Sequence, residues 1–341
     1  MTVTVITDEA RPNPAEAVGG RVLLDPDDLA AATGWTLKPE GLCQGDVCVP
    51  VRDRDALFEG ERLDLARVAE ALDRPFVAED GVAALGEPRW VRRQASADLR
   101  APDFALPDLD GRVHHLDEWH GRKKLLVTFA TWCGCRHDMP GWQELQDELA
   151  DTGLQVIGAA LDEDADRVRP YADGIGFPVL VDREHTLSET YAITNVPTVV
   201  WIDEDEQIVR PNTTMFGDDA WVDFTGISSK PSMAAIRRWA RDGEVDIPAD
   251  DAKGVVEDLT PELEEARLRF RIGAHLAREG DDAGAERQLR RAAELAPDDL
   301  TIWRAAMPLL GEDPFGETFF AEFEAWKERG APFNGLPPVE A

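Results

Sequence analysis

Basic residues are scarce in this chain. Only 36 Lys and Arg stand against 68 Asp and Glu among 341 residues, giving a formal charge of −32 and a pI near 4.4. A phosphate backbone or an anionic bilayer would be repelled by such a surface, which excludes nucleic-acid binding and docking on anionic membranes. The acidic residues are spread along the chain rather than gathered in a tail, as suits a solvated surface. No apolar run of about 18 residues occurs, so no membrane-spanning helix is expected. The stretch Met1 to Pro14 lacks a basic region followed by an apolar one. No signal peptide is therefore expected, and the expected location is the cytoplasm. Glycine-rich phosphate loops, nucleophile elbows and paired-His metal helices are absent, so no cofactor is implied. Cysteine is scarce too. The four present fall into two close pairs, Cys43/Cys48 and Cys133/Cys135. In a cytosolic chain such pairs point to redox or metal chemistry more than to a structural framework.

What is present suffices for a sizeable core, with 43% hydrophobic residues and a length that suits two or three domains. Residues 1–97 read as a small α+β domain. Strands are expected at 20–24, 47–51 and 82–85, and helices at 25–33 and 63–72, the first ended by Gly34. Residues 98–245 alternate strands with helices, which predicts α/β architecture: a central sheet with helices on both faces. Its strands are expected at 124–130, 153–161, 177–182, 199–203 and 207–210, and its helices at 139–149, 164–173 and 232–242. Pro140 is expected to kink the first of these helices. Asp162, Asp164 and the 203–205 cluster read as turn and cap residues. Residues 246–341 begin with an acidic linker and then look helical, with Thr260 as cap and Pro261 at the first helical position. Gly273, Ala285, Leu289, Ala292 and Pro297 fall at the offsets of a tetratricopeptide repeat, and Trp303 stands where a next repeat would begin. This segment resembles one to two such repeats, with a generic helical hairpin as the alternative. Either would offer a partner-binding or oligomerisation surface.

The chain is organised around 127–140, VTFATWCGCRHDMP. An apolar strand runs into two cysteines, and a helix follows. A helix start leaves N–H groups unpaired and carries a partial positive charge, which stabilises a thiolate. A second cysteine within reach can close a disulfide and release whatever the first attacked. In the other pair, Gly45 and Asp46 suit a tight turn that would bring Cys43 and Cys48 to disulfide distance. A second redox pair, plain structural thiols and part of a metal site all remain open for them. Cys133, Cys135 and His137 could also be read as metal ligands, but no fourth ligand is evident, and no metal is assigned.

Residues 101–210 resemble the thioredoxin-like redoxins, specifically TlpA/ResA-type thiol–disulfide oxidoreductases and their peroxiredoxin cousins. The matching stretches are Ala101-Pro102-Asp103-Phe104, Phe129 to Cys133, Cys135 to Pro140, 177–182 and 196–203. The resemblance implies a thioredoxin-like fold with a central mixed sheet, and thiol–disulfide exchange on protein or small-molecule thiols and disulfides. It implies Cys133 as attacking thiolate and Cys135 as resolving thiol. Pro197 corresponds to the family's cis-proline, whose neighbouring backbone at Val196 can pair with a substrate. Trp132, Gly134 and Arg136 would shape the docking face.

One departure stands out. The family has two residues between its cysteines and this chain has Gly134 alone. The smaller ring is expected to be strained, which would make the pair a better oxidant or isomerase. Alternatively the two thiols never pair, and Cys133 is resolved by a partner. A thiol peroxidase is disfavoured, because the peroxiredoxin pattern needs Thr three residues before the reactive cysteine, and Ala130 occupies that place for Cys133. The competing class is a scaffold or redox sensor that recruits partners through its helical tail.

Overall fold

The apolar run before the cysteines forms β1 (Lys124–Phe129), the centre of a five-stranded mixed sheet in this computed structural model, which describes residues 2–339. β2 (Gln155–Ala160) and β3 (Val179–Val181) extend it in parallel on one side. β4 (Thr198–Ile202) and β5 (Ile208–Thr213) extend it antiparallel on the other, giving the order β3-β2-β1-β4-β5. β1 to β4 are buried from end to end. Strands covered on both faces read as continuous apolar runs rather than alternating ones. Leu126, Ile157, Leu180 and Val200 meet in the core on this sheet.

Helices α1 (Met139–Glu148), α2 (Ala165–Ala172), α3 (Thr186–Thr190) and α4 (Ser229–Asp242) complete this thioredoxin-like layer structure. Trp239 of α4 stacks on Trp201 of β4 with centroids 5.0 Å apart. Pro140 lies within the first two positions of α1, where no helical N–H is required. It starts the helix instead of kinking it. Two later helices, α5 (Leu300–Leu309) and α6 (Glu317–Glu328), belong to the same unit. Leu300 N donates to Thr194 O at 2.9 Å, and Leu336 N donates to Asn212 O at 2.8 Å. These bonds tie the C-terminal stretch to the segments on either side of β4.

The chain divides into two compact units, Val91–Asp258 with Pro297–Ala341, and Met1–Trp90 with Leu259–Ala296. This division cuts across the expected 246–341 segment and gives each unit one of its helix pairs. The other unit holds a seven-stranded sheet. Its order is Phe58–Glu59, Arg62–Asp64, Arg21–Leu24, Ala10–Val18, Thr2–Ile6, Val82–Leu85, Phe76–Glu79. The strands at 2–6 and 10–18 were not foreseen; the second carries Pro12 and Pro14, residues that fit a strand only at an edge or an irregular place. Both prolines fall where the strand pairs only with Thr2–Ile6; Ala15 to Val18 pair with Arg21–Leu24. Helices Pro261–Glu279 and Asp282–Leu295 pack together in this unit. Thr260 caps the first, accepting from Leu263 N. A Cβ on Gly273 would meet Leu289 Cγ at 2.7 Å, so glycine is what lets the two helices touch. Glu264, Arg269 and Arg287 pair with Arg89, Glu79 and Asp80 at 2.7 to 2.9 Å.

Candidate active site

At the carboxyl end of β1 the chain leaves the sheet and is gripped from the segment after β2. Thr131 N and Oγ1 donate to the two carboxylate oxygens of Asp162 at 2.9 and 2.5 Å. Trp132 Nε1 donates to Leu161 O at 2.9 Å. Parallel strands bring these ends together, so two stretches about thirty residues apart fix one loop. Asp162 is therefore a buried anchor of the cysteine loop and not a turn residue. Burial pushes its carboxyl up to about 6, against the lowering effect of its bonds from Thr131.

Cys133 follows as the cap of a four-residue 3-10 turn, Gly134–His137. Cys135 N donates to Cys133 Sγ at 3.2 Å. This amide is the donor expected of a helix start, but it belongs to the short turn, since α1 begins only at Met139. The two sulfurs are bonded to one another, with Cα atoms 5.2 Å apart. The Val196–Pro197 peptide is cis, and Val196 O lies 3.5 Å from Cys133 Sγ. Cys133, Gly134, Cys135, Val196 and Pro197 together border a cavity of about 690 Å³. Trp132 and Arg136 do not border it. Trp132 is buried beneath the loop. Arg136 donates to Thr131 O and lies over the rings of Phe315 and Tyr171, 4.5 and 5.2 Å from their centroids. His137 accepts from Arg136 Nε at 3.2 Å and meets Tyr171 edge-on.

Gly134 owes its identity to Trp221, whose Nε1 donates to Gly134 O at 3.0 Å. A Cβ on Gly134 would stand 2.7 Å from the Trp221 ring. Gly134→Ala is expected to destabilise the protein by about 1–3 kcal/mol through overpacking. Thermal melts should show the loss, and it should shrink when Trp221 is also truncated to Ala. Equal losses in both backgrounds would refute the contact as the cause.

Two further residues escaped sequence reasoning. Asp138 follows the turn, and its N–H donates to Cys135 O at 3.0 Å. Its carboxylate is 1% exposed and neither oxygen has a hydrogen-bond partner. Burial, aided by the nearby Asp218, raises its pKa to about 8. Functional sites are where such strongly shifted acids cluster. The second is Arg304 of α5, which borders the cavity. Neither has a local signature, since burial of both depends on distant segments.

Cys43 and Cys48 also form a disulfide. They face each other across a hairpin, Gly41–Gln44 with Val47–Val49, that turns at Gly45 and Asp46 as expected. Their Cα atoms are 4.1 Å apart. Cys43 is buried and Cys48 exposed. Among the described residues the cluster suited to a metal is Glu40 with these two cysteines, their donor atoms within 4.8 Å. Three ligands, two of them joined in a disulfide, do not complete a site. No described helix is long and apolar enough to cross a membrane.

Residues 98–224 match the AhpC/TSA family. The thiol-disulfide oxidoreductase ResA of Geobacillus thermodenitrificans is 32% identical over 123 residues, covering 35% of this chain and 71% of that protein. The thioredoxin-like protein YneN of Bacillus subtilis is 36% identical over 111 residues, covering 31% and 64%. Among solved structures, the thioredoxin domain of a thiol-disulfide oxidoreductase from Bacteroides vulgatus is 20% identical with a TM-score of 0.30. It covers 32% of this chain and 82% of that one.

Proposed function

Because this chain belongs to the AhpC/TSA redoxin family, with ResA-like thiol–disulfide oxidoreductases among its relatives, we propose that it exchanges disulfides through Cys133 and Cys135. Cys133 thiolate attacks one sulfur of a substrate disulfide. The bonding pair leaves with the other sulfur, which takes a proton and departs as a thiol. Cys135 thiolate then attacks Cys133 Sγ, freeing the second substrate thiol and leaving the protein oxidised by two electrons. A dithiol donor restores the reduced pair, and the same steps in reverse oxidise a dithiol substrate.

The observation that carries this reading is the bonded cysteine pair opening on a cavity beside cis Val196–Pro197. The Cys135 amide at Cys133 Sγ favours the thiolate. Val196 and Pro197 offer backbone to an incoming substrate, while Trp132 and Thr131 hold the loop in place. Insulin reduction driven by dithiothreitol tests it. Turnover above dithiothreitol alone is expected, and its absence would overturn the assignment.

Exchange with Cys43–Cys48 is the second part of the proposal, supported by that pair's being a disulfide with one sulfur-bearing residue at the surface. Replacing both by Ser should slow turnover, whereas an unchanged rate would make the hairpin disulfide structural. Recruitment of a protein partner by the helices of 246–341 belongs to the same reading.

A further inference from the structure

The cavity beside Cys133 is bordered by an arginine that the exchange chemistry does not use. Arg304 is 7% exposed and borders the cavity together with Cys133 and Cys135. Nη2 donates to Pro314 O at 3.1 Å, while Nε has no partner. The guanidinium lies over Phe319 at 3.7 Å and Phe315 at 5.4 Å. Among the described residues no carboxylate pairs with it. Three other buried arginines differ: Arg92 pairs with Glu189, Arg210 with Asp246 and Arg74 with Glu87. Arg304 thus lies buried without a carboxylate partner in a chain with 68 acidic residues. A buried cation without its counter-charge is destabilising, and a bound anion would remove that penalty. Its pKa is depressed to about 9 by burial and by Arg136, in keeping with a missing anion.

The rest of the lining is mostly apolar; Asn195, Thr214, Thr225 and Lys327 are its polar members, and Lys327 is paired with Glu324. Phe216, Phe224, Phe319, Phe320, Phe323 and Phe333 surround the space. Phe224 packs on Phe320 and Phe323, with centroids 6.0 and 5.2 Å apart. Phe224 and Phe320 keep 42% and 46% of their surface exposed. The volume of about 690 Å³ is that of a site for one small organic molecule. Cys133, Cys135, the phenylalanines and Arg304 border the same cavity.

We propose that this chamber binds a low-molecular-weight disulfide, or the corresponding thiol, with an aromatic or otherwise apolar body and an anionic group. The anion pairs with Arg304, and the body lies on the phenylalanines. The sulfur is presented to Cys133. This specificity rests on the thiol–disulfide exchange proposed above and adds a substrate class to it. In the reductive direction Cys133 and Cys135 lose two electrons and two protons, and the substrate leaves as two thiols.

The full chain, pre-reduced and freed of reductant, can be oxidised by three probes. These are dithiobis(nitrobenzoate), an aromatic dianion; dithiodipyridine, aromatic and neutral; and cystamine, an aliphatic dication. Each rate constant is divided by that of free dithiothreitol with the same probe, which removes intrinsic reactivity. The net charge of −32 repels the dianion and attracts the dication, so non-specific encounter would favour cystamine. The proposal expects the opposite. The corrected constant for the dianion should exceed that for the neutral probe by about tenfold or more. Arg304→Gln should bring that ratio down to about the value for free thiols, and Arg304→Lys should restore part of it. Naphthoate should protect reduced Cys133 from iodoacetamide saturably, a readout that holds even if Arg304→Gln fails to fold. A corrected ratio at or below one, or no protection, overturns the proposal. If no probe closes the Cys133–Cys135 disulfide at all, it is the exchange reading that falls. If all three close it at ratios matching free dithiothreitol, only the chamber assignment falls.

Discussion

Cys133→Ser is expected to lower dithiol-driven insulin reduction by about 10³-fold or more, to the rate of the donor alone. A serine hydroxyl is not ionised near neutral pH and cannot form a disulfide, so no part of the exchange survives the change. Cys135→Ser has a different expected signature. Cys133 is the sulfur with the neighbouring amide donor and the approach past Val196, so it should still attack. With no resolving thiol the mixed disulfide then accumulates, and intact-mass measurement would find one substrate thiol attached at Cys133. Cys135 is buried more deeply, 1% exposed against 5%. Were Cys135→Ser the variant that captures nothing and Cys133→Ser the one that traps substrate, the two roles would be reversed.

Asp138→Asn should make the protein more stable at alkaline pH, by an amount that grows with pH. The acid's pKa is about 8 in the folded chain, against its ordinary 3.8. Below about 4 both folded and unfolded forms hold the proton, and this contribution to stability is fully present. As pH rises towards 8 the unfolded chain releases its proton while the folded chain keeps it. Stability is then lost by up to about 1.4 kcal/mol per pH unit from this group. Asp162 adds a loss of the same sign over a shorter span, up to about 6. Asparagine cannot ionise, so the variant lacks the first loss and keeps the second. Melting curves of the two proteins should nearly coincide at pH 4 and separate by several kcal/mol at pH 8. Parallel curves across that range would mean that Asp138 is ionised and solvated in the fold.

The sheet of the redoxin unit could be read from the sequence because its strands are buried on both faces and so announce themselves as apolar runs. The cysteine turn was legible because its chemistry needs particular residues at close local spacing, whereas the cis-proline was legible only through the resemblance to the redoxin family. The Gly45–Asp46 turn between Cys43 and Cys48 was legible from turn chemistry alone. The rest depends on contacts between distant segments. Pro12 and Pro14 hide a strand that tolerates them only because part of it has a neighbour on one side. Gly134 looks like a lost residue in the motif until Trp221 is seen packed against it. Asp162 looks like a turn residue until Thr131 is seen bonded to it. Arg304 sits on an ordinary helical face, and no periodicity marks it as lacking an acidic neighbour.

The division of the chain also sets an order of events during synthesis. The sheet built from the first ninety residues shares its unit with the helix pair 261–295, which the ribosome makes only after the whole stretch 91–258. At about 5–20 residues per second, that sheet waits on the order of ten seconds for its helices. The redoxin sheet emerges in the meantime, but the part of the wall carrying Arg304, Phe319, Phe320, Phe323 and Phe333 follows the helix pair. A nascent chain would thus hold both cysteines of the exchange pair before it holds the chamber that selects what they meet.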